Sequence, residues 1–477
     1  MAAFLKFVGC FVLVGASVAA LGQSDPATAV QAGSQTVDTM SAADKVRVGR
    51  IVAGVMEQRL MPSSSIAVVQ GGKLAYTHAY GLAHLDPVVL ATPEMRYSIG
   101  SVSKQFTAAA ILLLEEKGKL SIDDAVGKYV PGLTRGNEVT IRQILSHTSG
   151  YQDYWPEDYL MTPMMKPATA QQILNDWAKK PLDFDPGTQW QYSNTNYVIA
   201  GLIVEKVSGQ KLMDFLVEHI FRPLGMKSVW DSDEAKLTET DATAYIRAAL
   251  GPLRPAPKEG RGWMFAAGEL AMTPHDLALW DESMIARSVL SADSYKEMFT
   301  EVKLKDGKGS HYGLGVFVRD MNGHRMIEHS GEVTGFVSEN IVMPDDGVAV
   351  VVLTNHMASG ASQIARLINS ALTGTGNESA AEKQALAMYR GLQRGQIDRT
   401  LLAPNLNDYF SDQCVADFRD SLGRLGDPLS LRQGAEELRG GMTFRSFDIV
   451  YPTKRLRLTT YTYPDGKLEQ YLVEPAD

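Results

Sequence analysis

Residues 97–104 read Tyr-Ser-Ile-Gly-Ser-Val-Ser-Lys, and residues 105–118 continue as Gln-Phe-Thr-Ala-Ala-Ala-Ile-Leu-Leu-Leu-Glu-Glu-Lys-Gly. The alanines and leucines favour a helix from about Val102, and Gly118 stands where a helix end favours a left-handed residue. No charged residue lies between Lys104 and Glu115, whereas a surface helix would carry a polar face along its middle. The stretch therefore predicts a helix buried in the centre of a domain.

Ser101 and Lys104 form the polar start of this predicted helix. Their spacing places both side chains on one face of the first turn, within reach of each other. The helix N-terminus favours a developing anion, and burial would lower the proton affinity of the lysine so that it can act as a base toward the serine. The same Ser-x-x-Lys spacing recurs at residues 208–211, and a helix cap is the alternative interpretation of either pair.

Length and composition limit the classes of function. A chain of 477 residues has enough material for more than one domain, and its formal charge of -9 disfavours nucleic acid or an anionic membrane as the main partner. Cys10 and Cys414 are the two cysteines. Cys10 lies in the predicted signal, so the mature protein is expected to have no internal disulfide and no cysteine metal site.

The N-terminus predicts export. Residues 1–22 combine Lys6, an apolar run and small residues before Gln23, which is typical of a signal peptide, although a retained anchor is the alternative. Residues 23–42 are polar, without periodicity, and predict a flexible leader. We expect a periplasmic or secreted protein that has no membrane span once the signal is removed.

The rest of the chain predicts an α+β fold. A helix at 43–60 and a hairpin at 65–81 precede the serine helix, and residues 121–272 form a mainly helical block with long aromatic loops that are either binding surfaces or hydrophobic plugs. Later strands are predicted at 312–318, 325–329, 335–343 and 348–354, before a helix at 361–372. Strands from both ends would form one antiparallel sheet flanked by helices, in a domain spanning residues 43–373.

A linker at 374–381 precedes a second, small α+β domain at 382–477. Its two helical stretches and three closing strands carry no catalytic pattern, so we interpret it as a packing, lid or dimerisation module. The alternative is that this domain binds another protein or a cell-wall polymer.

Two further clusters give the serine a context. Residues 192–194 read Tyr-Ser-Asn at the start of a predicted helix, and residues 329–331 read His-Ser-Gly at the end of a predicted strand. With Ser101 and Lys104, these motifs resemble the serine beta-lactamase and penicillin-binding protein superfamily, on the class C-like branch that also holds esterases and D-amino-acid peptidases. The resemblance implies the beta-lactamase/transpeptidase fold.

The resemblance also implies roles for the motif residues. Ser101 would form an acyl-enzyme, while Lys104 and Tyr192 share proton transfer, with cationic neighbours lowering the proton affinity of the phenol. Asn194 would hold Lys104 and the substrate amide. The backbone NH groups of Ser101 and Glu332, which follows Ser330 and Gly331, would bind the oxyanion.

His329 departs from the pattern of true beta-lactamases, which usually carry lysine there to meet a substrate carboxylate. Histidine is largely neutral at neutral pH, so carboxylate recognition is doubtful. The function predicted is therefore an exported serine hydrolase acting on an ester or on an amide or peptide bond, as an esterase or D-amino-acid peptidase. The alternatives are a beta-lactamase and a penicillin-binding or sensor protein that is acylated by beta-lactams.

We expect no cofactor and no metal, because no histidine pair has metal-ligand spacing. His147 lies in a loop phrase typical of the family and is interpreted as structural. The partner is a small-molecule or peptide substrate with a reactive carbonyl, and the sequence does not indicate an oligomeric state.

Overall fold

The computed structural model describes residues 37–321, 323–357, 360–373, 379–451 and 454–476. The predicted signal peptide lies outside these residues, as do most of the predicted leader and residues 374–378 of the predicted linker.

Helices and strands both contribute to the fold. The helices are α1 Ala42–Arg59, α2 Ser103–Glu116, α3 Ile141–Leu145, α4 Ala170–Ile173, α5 Asn194–Ser208, α6 Leu212–Leu216, α7 Arg222–Leu224, α8 Pro274–Ala286, α9 Ala292–Met298, α10 Ala361–Thr373, α11 Ala380–Arg394, α12 Pro404–Tyr409 and α13 Asp412–Leu422. The strands are β1 Ser63–Gln70, β2 Lys73–Leu85, β3 Val88–Leu90, β4 Tyr97–Ser98, β5 Trp230–Asp231, β6 Tyr245–Ile246, β7 Arg254–Pro255, β8 Leu270–Met272, β9 Phe317–Met321, β10 His324–Val333, β11 Phe336–Met343, β12 Val348–Thr354, β13 Ser430–Arg439, β14 Met442–Val450, β15 Arg455–Thr462 and β16 Leu468–Pro475.

The main sheet has seven antiparallel strands in the order β3-β2-β1-β12-β11-β10-β9. Strand β1, from before the helical block, pairs with β12, from after it. The predicted α+β fold, with an antiparallel sheet drawn from both ends of the domain, is confirmed.

Alternation along β12 builds a layer on each face of this sheet. Val350 and Val352 join the hydrophobic cluster that contains α1 and α10. Val351 and Leu353 join the larger cluster that contains α2 and α8. Because successive side chains of a strand point to opposite faces, a continuous valine run is buried on both sides.

Helix α2 is buried along most of its length, as its apolar sequence predicts. Residues 103–114 are all buried, and Gly118 adopts a φ of +64° just after the helix ends. A short 3-10 turn, Gly100–Val102, leads into the helix and carries Ser101. The serine therefore stands at the N-terminal end of a rigid, buried element.

The predicted strand at 312–318 is wrong over most of its length, because β9 begins only at Phe317. A Cβ at Gly315 would lie 2.9 Å from the carbonyl oxygen of Lys104, so the backbone here packs directly against α2. Gly315 also has a φ of +78°, which favours glycine and interrupts an extended strand.

The C-terminal residues form a separate sheet with helices packed against it. Strands β13 to β16 make a four-stranded antiparallel sheet, and α11 to α13 share a separate hydrophobic cluster with it that includes Tyr389, Phe410, Leu458 and Tyr471. The small α+β region predicted there is confirmed, while its boundaries stay predictions. Across the described ranges, no helix combines the length and apolarity needed to cross a bilayer.

Candidate active site

The turn that carries Ser101 is wedged against strand β10. A Cβ at Gly331 would lie only 1.8 Å from the carbonyl oxygen of Ile99, so only glycine permits this approach. Ser338 on β11 donates a hydrogen bond from Oγ to the same carbonyl at 2.8 Å. The backbone at Ser330 and Glu332 is thereby held alongside the serine turn.

Lys104 lies behind Ser101 and is fully buried. Its Nζ is 2.9 Å from Ser101 Oγ, 2.8 Å from Asn194 Oδ1 and 2.7 Å from the carbonyl oxygen of Ala267. The two other acceptors have no proton to give, whereas the serine hydroxyl has one. A neutral amine here keeps two donated bonds, to Asn194 and Ala267, and turns its lone pair toward the hydroxyl.

Burial lowers the pKa of Lys104 to about 7, against the opposing charges of Asp153 and Glu269. Withdrawal from water disfavours the ammonium form, while a nearby carboxylate favours it. A substantial fraction of the lysine is therefore a neutral base near pH 7. This agrees with the expectation that burial lowers the proton affinity of the lysine.

Tyr192 is half-buried next to this pair, with Lys104 Nζ 5.0 Å from its ring centroid. The predicted lowering of its proton affinity is wrong: burial raises the pKa of Tyr192 well above its ordinary value, although a hydrogen bond with Ser101 opposes the rise. The charge of Asp153 adds to the rise. Tyr192 is therefore a phenol, and Lys104 is the better resting base.

Asn194 is the first residue of α5, and a neighbour that the sequence analysis missed orients it. Asp153 accepts a hydrogen bond at Oδ1 from the Asn194 backbone NH at 2.9 Å and one from Nδ2 at 3.2 Å. The amide nitrogen is thereby turned toward Asp153 and the amide oxygen toward Lys104. The one signal in the sequence was that residues 151–156 belong to the long aromatic loops predicted within 121–272.

His329 lies beside this group and is 1% exposed. Its Nε2 is 2.8 Å from the Tyr312 hydroxyl and its Nδ1 is 2.5 Å from the Ser330 carbonyl oxygen. Burial, with Lys104 nearby, lowers the pKa of His329 to about 3. The imidazole is therefore neutral and is occupied by protein partners.

His147 is also buried and faces the ring of Tyr192, with centroids 4.3 Å apart. Its Nδ1 accepts a hydrogen bond from the Ser193 backbone NH at 3.2 Å. Burial and the neighbouring Lys104 and His329 hold its pKa well below the ordinary value. His147 thus supports the peptide between Tyr192 and Asn194 as a neutral side chain, consistent with its structural interpretation.

A cavity of about 480 Å³ opens in front of Ser101. Of the predicted site residues, Ser101, Tyr192, Asn194 and Glu332 line it. Lys104 lies behind the serine, whereas His329, Ser330 and Gly331 are not among the lining residues.

The lining of this cavity is acidic and aromatic. Its carboxylates come from Asp153, Glu157, Asp158 and Glu332, and among the described residues that line it there is no lysine, arginine or histidine. Burial and the charge of Asp158 raise the pKa of Glu332. The arrangement favours a positively charged group in the bound molecule.

Within the described ranges, no cluster of three or more His, Cys, Asp or Glu residues has an arrangement that could hold a metal ion. The Ser101 hydroxyl, the buried amine of Lys104 and the phenol of Tyr192 lie next to one another at this site.

The family model described as Beta-lactamase matches residues 48–375. The D-aminopeptidase of Brucella anthropi is 30% identical over 317 residues, which cover 65% of this chain and 59% of that protein. This chain thus spans less than two thirds of the length of that relative.

Solved structures share the fold. The octameric penicillin-binding protein homologue from Pyrococcus abyssi superposes with a TM-score of 0.63 at 22% identity, covering 90% of this chain and 99% of that chain. A D-stereospecific amidohydrolase from Streptomyces sp. superposes with a TM-score of 0.60 at 25% identity, covering 70% of this chain and 98% of that chain.

Proposed function

Because this chain belongs to the beta-lactamase family, we propose that it is an exported serine hydrolase that acts on amide or peptide bonds, or on esters, through an acyl-enzyme on Ser101. The observation that carries the proposal is the 2.9 Å contact between Lys104 Nζ and Ser101 Oγ at a buried site open to a cavity. A nucleophile paired with a base of lowered pKa is the basic requirement of acyl transfer.

Acylation begins when neutral Lys104 takes the proton of Ser101 as Oγ attacks the carbonyl carbon of the substrate. The oxyanion of the tetrahedral intermediate is stabilised by the backbone NH groups of Ser101 and Glu332. Gly331 permits close packing between the backbone before Ser101 and the backbone before Glu332. This packing supports the assignment of both NH groups to one oxyanion site.

Collapse of the intermediate requires a proton on the leaving nitrogen or oxygen. Tyr192, as a neutral phenol, donates that proton and recovers one from the ammonium of Lys104, which returns the lysine to its neutral form. Water then attacks the acyl-enzyme by the same route in reverse. Its proton passes to Lys104, which returns it to Ser101 Oγ as the bond from Oγ to the acyl carbon breaks and the acid product leaves.

The charge of the cavity supports a substrate class. The four carboxylates that line the cavity favour a substrate with a free ammonium group near the scissile bond. The relative from Brucella anthropi, which is 30% identical in the matched region, is named a D-aminopeptidase. That name supports the same class of substrate. We therefore put an amino-terminal amide or peptide first.

A beta-lactamase or a penicillin-binding sensor is the second candidate, favoured by membership of the family itself. Penicillins carry a carboxylate, which this acidic cavity disfavours, and His329 is neutral and buried. Export to the periplasm or the medium rests on the apolar run and small residues of 1–22.

Intact-mass analysis tests the proposal. The purified protein is mixed separately with a fluorophosphonate, a penicillin and a small ester, with Ser101→Ala alongside. We expect one fluorophosphonate adduct that the variant lacks, and rapid turnover of an amino-acid amide that has a free ammonium group. Blocking that amine by acetylation should slow hydrolysis by at least about tenfold, the loss of one good charge pair.

The outcomes separate the candidates. A long-lived penicillin adduct with little amide turnover would favour the sensor, and rapid penicillin hydrolysis would favour the beta-lactamase. An adduct that persists in Ser101→Ala would refute the assignment of the nucleophile.

A further inference from the structure

A second cavity of about 880 Å³ lies behind the segment that borders the active site. Ala267 and Gly268 line the active cavity, while the next residue, Glu269, lines the second one. Met264 and Phe265 divide between the two cavities in the same way. One short stretch of backbone therefore separates the two spaces.

The second cavity has an excess of carboxylates. Its two cationic side chains are each paired with a carboxylate of the lining: Lys211 with Glu205 at 3.5 Å and Arg261 with Glu234 at 2.7 Å. Four lining carboxylates make no ion pair with any described residue: Asp214, Asp231, Asp233 and Glu269.

Three of these carboxylates belong to one group. Asp233 accepts hydrogen bonds from the backbone NH groups of Gly262 and Met264, and Asp231 accepts them from its own turn. Glu269 is 4% exposed, and its Oε2 has no hydrogen-bond partner among the described residues. A buried acceptor without a partner costs free energy, so pairing with a donor would be favourable, although the neighbouring side chains must shift to let a donor reach this oxygen.

The carboxylates of Asp231, Asp233 and Glu269 repel one another when they are ionised. Burial, followed by the charge of Asp231, raises the pKa of Glu269 to about 8, and burial raises that of Asp233 to about 6. Lys258, which does not line this cavity, only partly offsets the repulsion at the two aspartates. A bound cation would relieve both the repulsion and the missing hydrogen bond at Oε2.

The remaining walls indicate what else the ligand contains. Leu202, Leu212, Met213 and Phe265 line the same cavity. Within the described part of the chain, no carboxylate cluster has an arrangement that could hold a metal ion. An organic cation with an apolar body matches such a site better than an inorganic ion.

We propose that this second cavity binds a small organic cation whose ammonium or guanidinium group pairs with Glu269, Asp233 and Asp231, while its apolar part packs on Phe265 and its neighbours. The site is separate from the cavity in front of Ser101. Binding there does not require the reaction proposed for that serine, although the charge of Glu269 also raises the pKa of Lys104.

Calorimetric titration of the full chain at pH 8.5, where Glu269 with its pKa of about 8 is mostly ionised, tests the site with two matched probes. Benzylamine carries an ammonium on an apolar ring, and benzyl alcohol has the same ring without the charge. We expect benzylamine to bind at least about tenfold more tightly than the alcohol, the difference that one charge-assisted hydrogen bond makes. Equal affinities, or no binding of benzylamine, would overturn the proposal.

Variants then locate the bound probe, because the active cavity is acidic as well. Glu269→Gln is expected to weaken benzylamine binding in the second cavity by at least about tenfold, whereas Glu157→Gln changes only any separate binding of the amine in the active cavity. Loss of binding in Glu157→Gln with retention in Glu269→Gln would move the ligand to the active cavity and refute the proposal. Asp233→Asn is the second variant, and thermal unfolding of each variant checks that the fold is intact.

Discussion

Two copies of the same Ser-x-x-Lys spacing occur in this chain, in opposite surroundings. Ser101 and Lys104 lie where a 3-10 turn runs directly into α2, and their side chains meet at 2.9 Å. Ser208 ends α5, and Gly209 follows in the left-handed conformation with a φ of +76°. Lys211 is 77% exposed and pairs with Glu205.

The difference teaches that continuity of the helix, rather than spacing, creates the reactive pair. Residues three apart share a face only if helical backbone joins them, and Gly209 breaks that path. The Ser208 hydroxyl instead accepts a hydrogen bond from the Gln210 backbone NH at 3.1 Å. Burial then adds the second requirement, because it lowers the pKa of Lys104 to about 7.

The largest predicted difference concerns the two serines. Ser101→Ala should reduce hydrolysis of an amide or ester by at least about a thousandfold, because the nucleophile is lost. Ser208→Ala, the matched control, should leave the rate unchanged. Steady-state kinetics on both purified variants checks this, and near-parental activity in Ser101→Ala would abolish the distinction between the two motifs.

The two lysines should differ next. Lys104→Ala removes the base that accepts the Ser101 proton, so we expect kcat/KM to fall by at least about a hundredfold. Lys211→Ala should not change it, since Lys211 lies on the surface beside Glu205. If both variants retained activity, proton transfer would have to be assigned to another group.

The pH profile should show a smaller effect. Acylation needs neutral Lys104, so kcat/KM is expected to rise as the pH increases through about 7, the pKa to which burial lowers this lysine. The charge of Asp153 raises that pKa, so Asp153→Asn should move the rise to lower pH.

Glu205→Gln is the matched control for the pH profile, because Glu205 pairs with Lys211 instead of Lys104. We expect its profile to coincide with that of the parent chain. A midpoint that moves upward in Asp153→Asn would show that Lys104 is not the group that titrates.

Features that follow from local patterns were predictable from the sequence. The absence of charge along α2 indicated its burial, and the hairpin predicted at 65–81 corresponds to β1 and β2. Strand β13 was missed because residues 434–439 are exposed, and an exposed edge strand needs no apolar alternation. Gly315 was assigned to a strand because its packing against α2 is a tertiary contact that the local sequence does not show.

The chemical environment of the site was less predictable than its motifs. Asp153, Glu157 and Asp158 share one loop, and only the fold brings them opposite Glu332. The raised pKa of Tyr192 depends on burial by distant segments, which local sequence does not report. The motifs thus indicate the reaction, while the fold determines which groups are charged.

The smallest predicted effect concerns the stability of the surface pair. Lys211→Ala should change the free energy of unfolding by less than about 0.5 kcal/mol, because exposed ion pairs are screened by water and salt. Glu205 also accepts a hydrogen bond from the Leu212 backbone NH at 3.2 Å, at the start of α6. Glu205→Ala should therefore cost more, about 1 kcal/mol, as the loss of a helix cap does.

Urea unfolding of both variants, at low and high salt, measures the two contributions separately. The cap should persist in high salt, whereas any contribution from the ion pair should fade. If Lys211→Ala were as destabilising as Glu205→Ala, the lysine would have a structural role that its exposure does not suggest. The second motif would then be more than a coincidence of spacing, and the contrast with Ser101 and Lys104 would rest on chemistry alone.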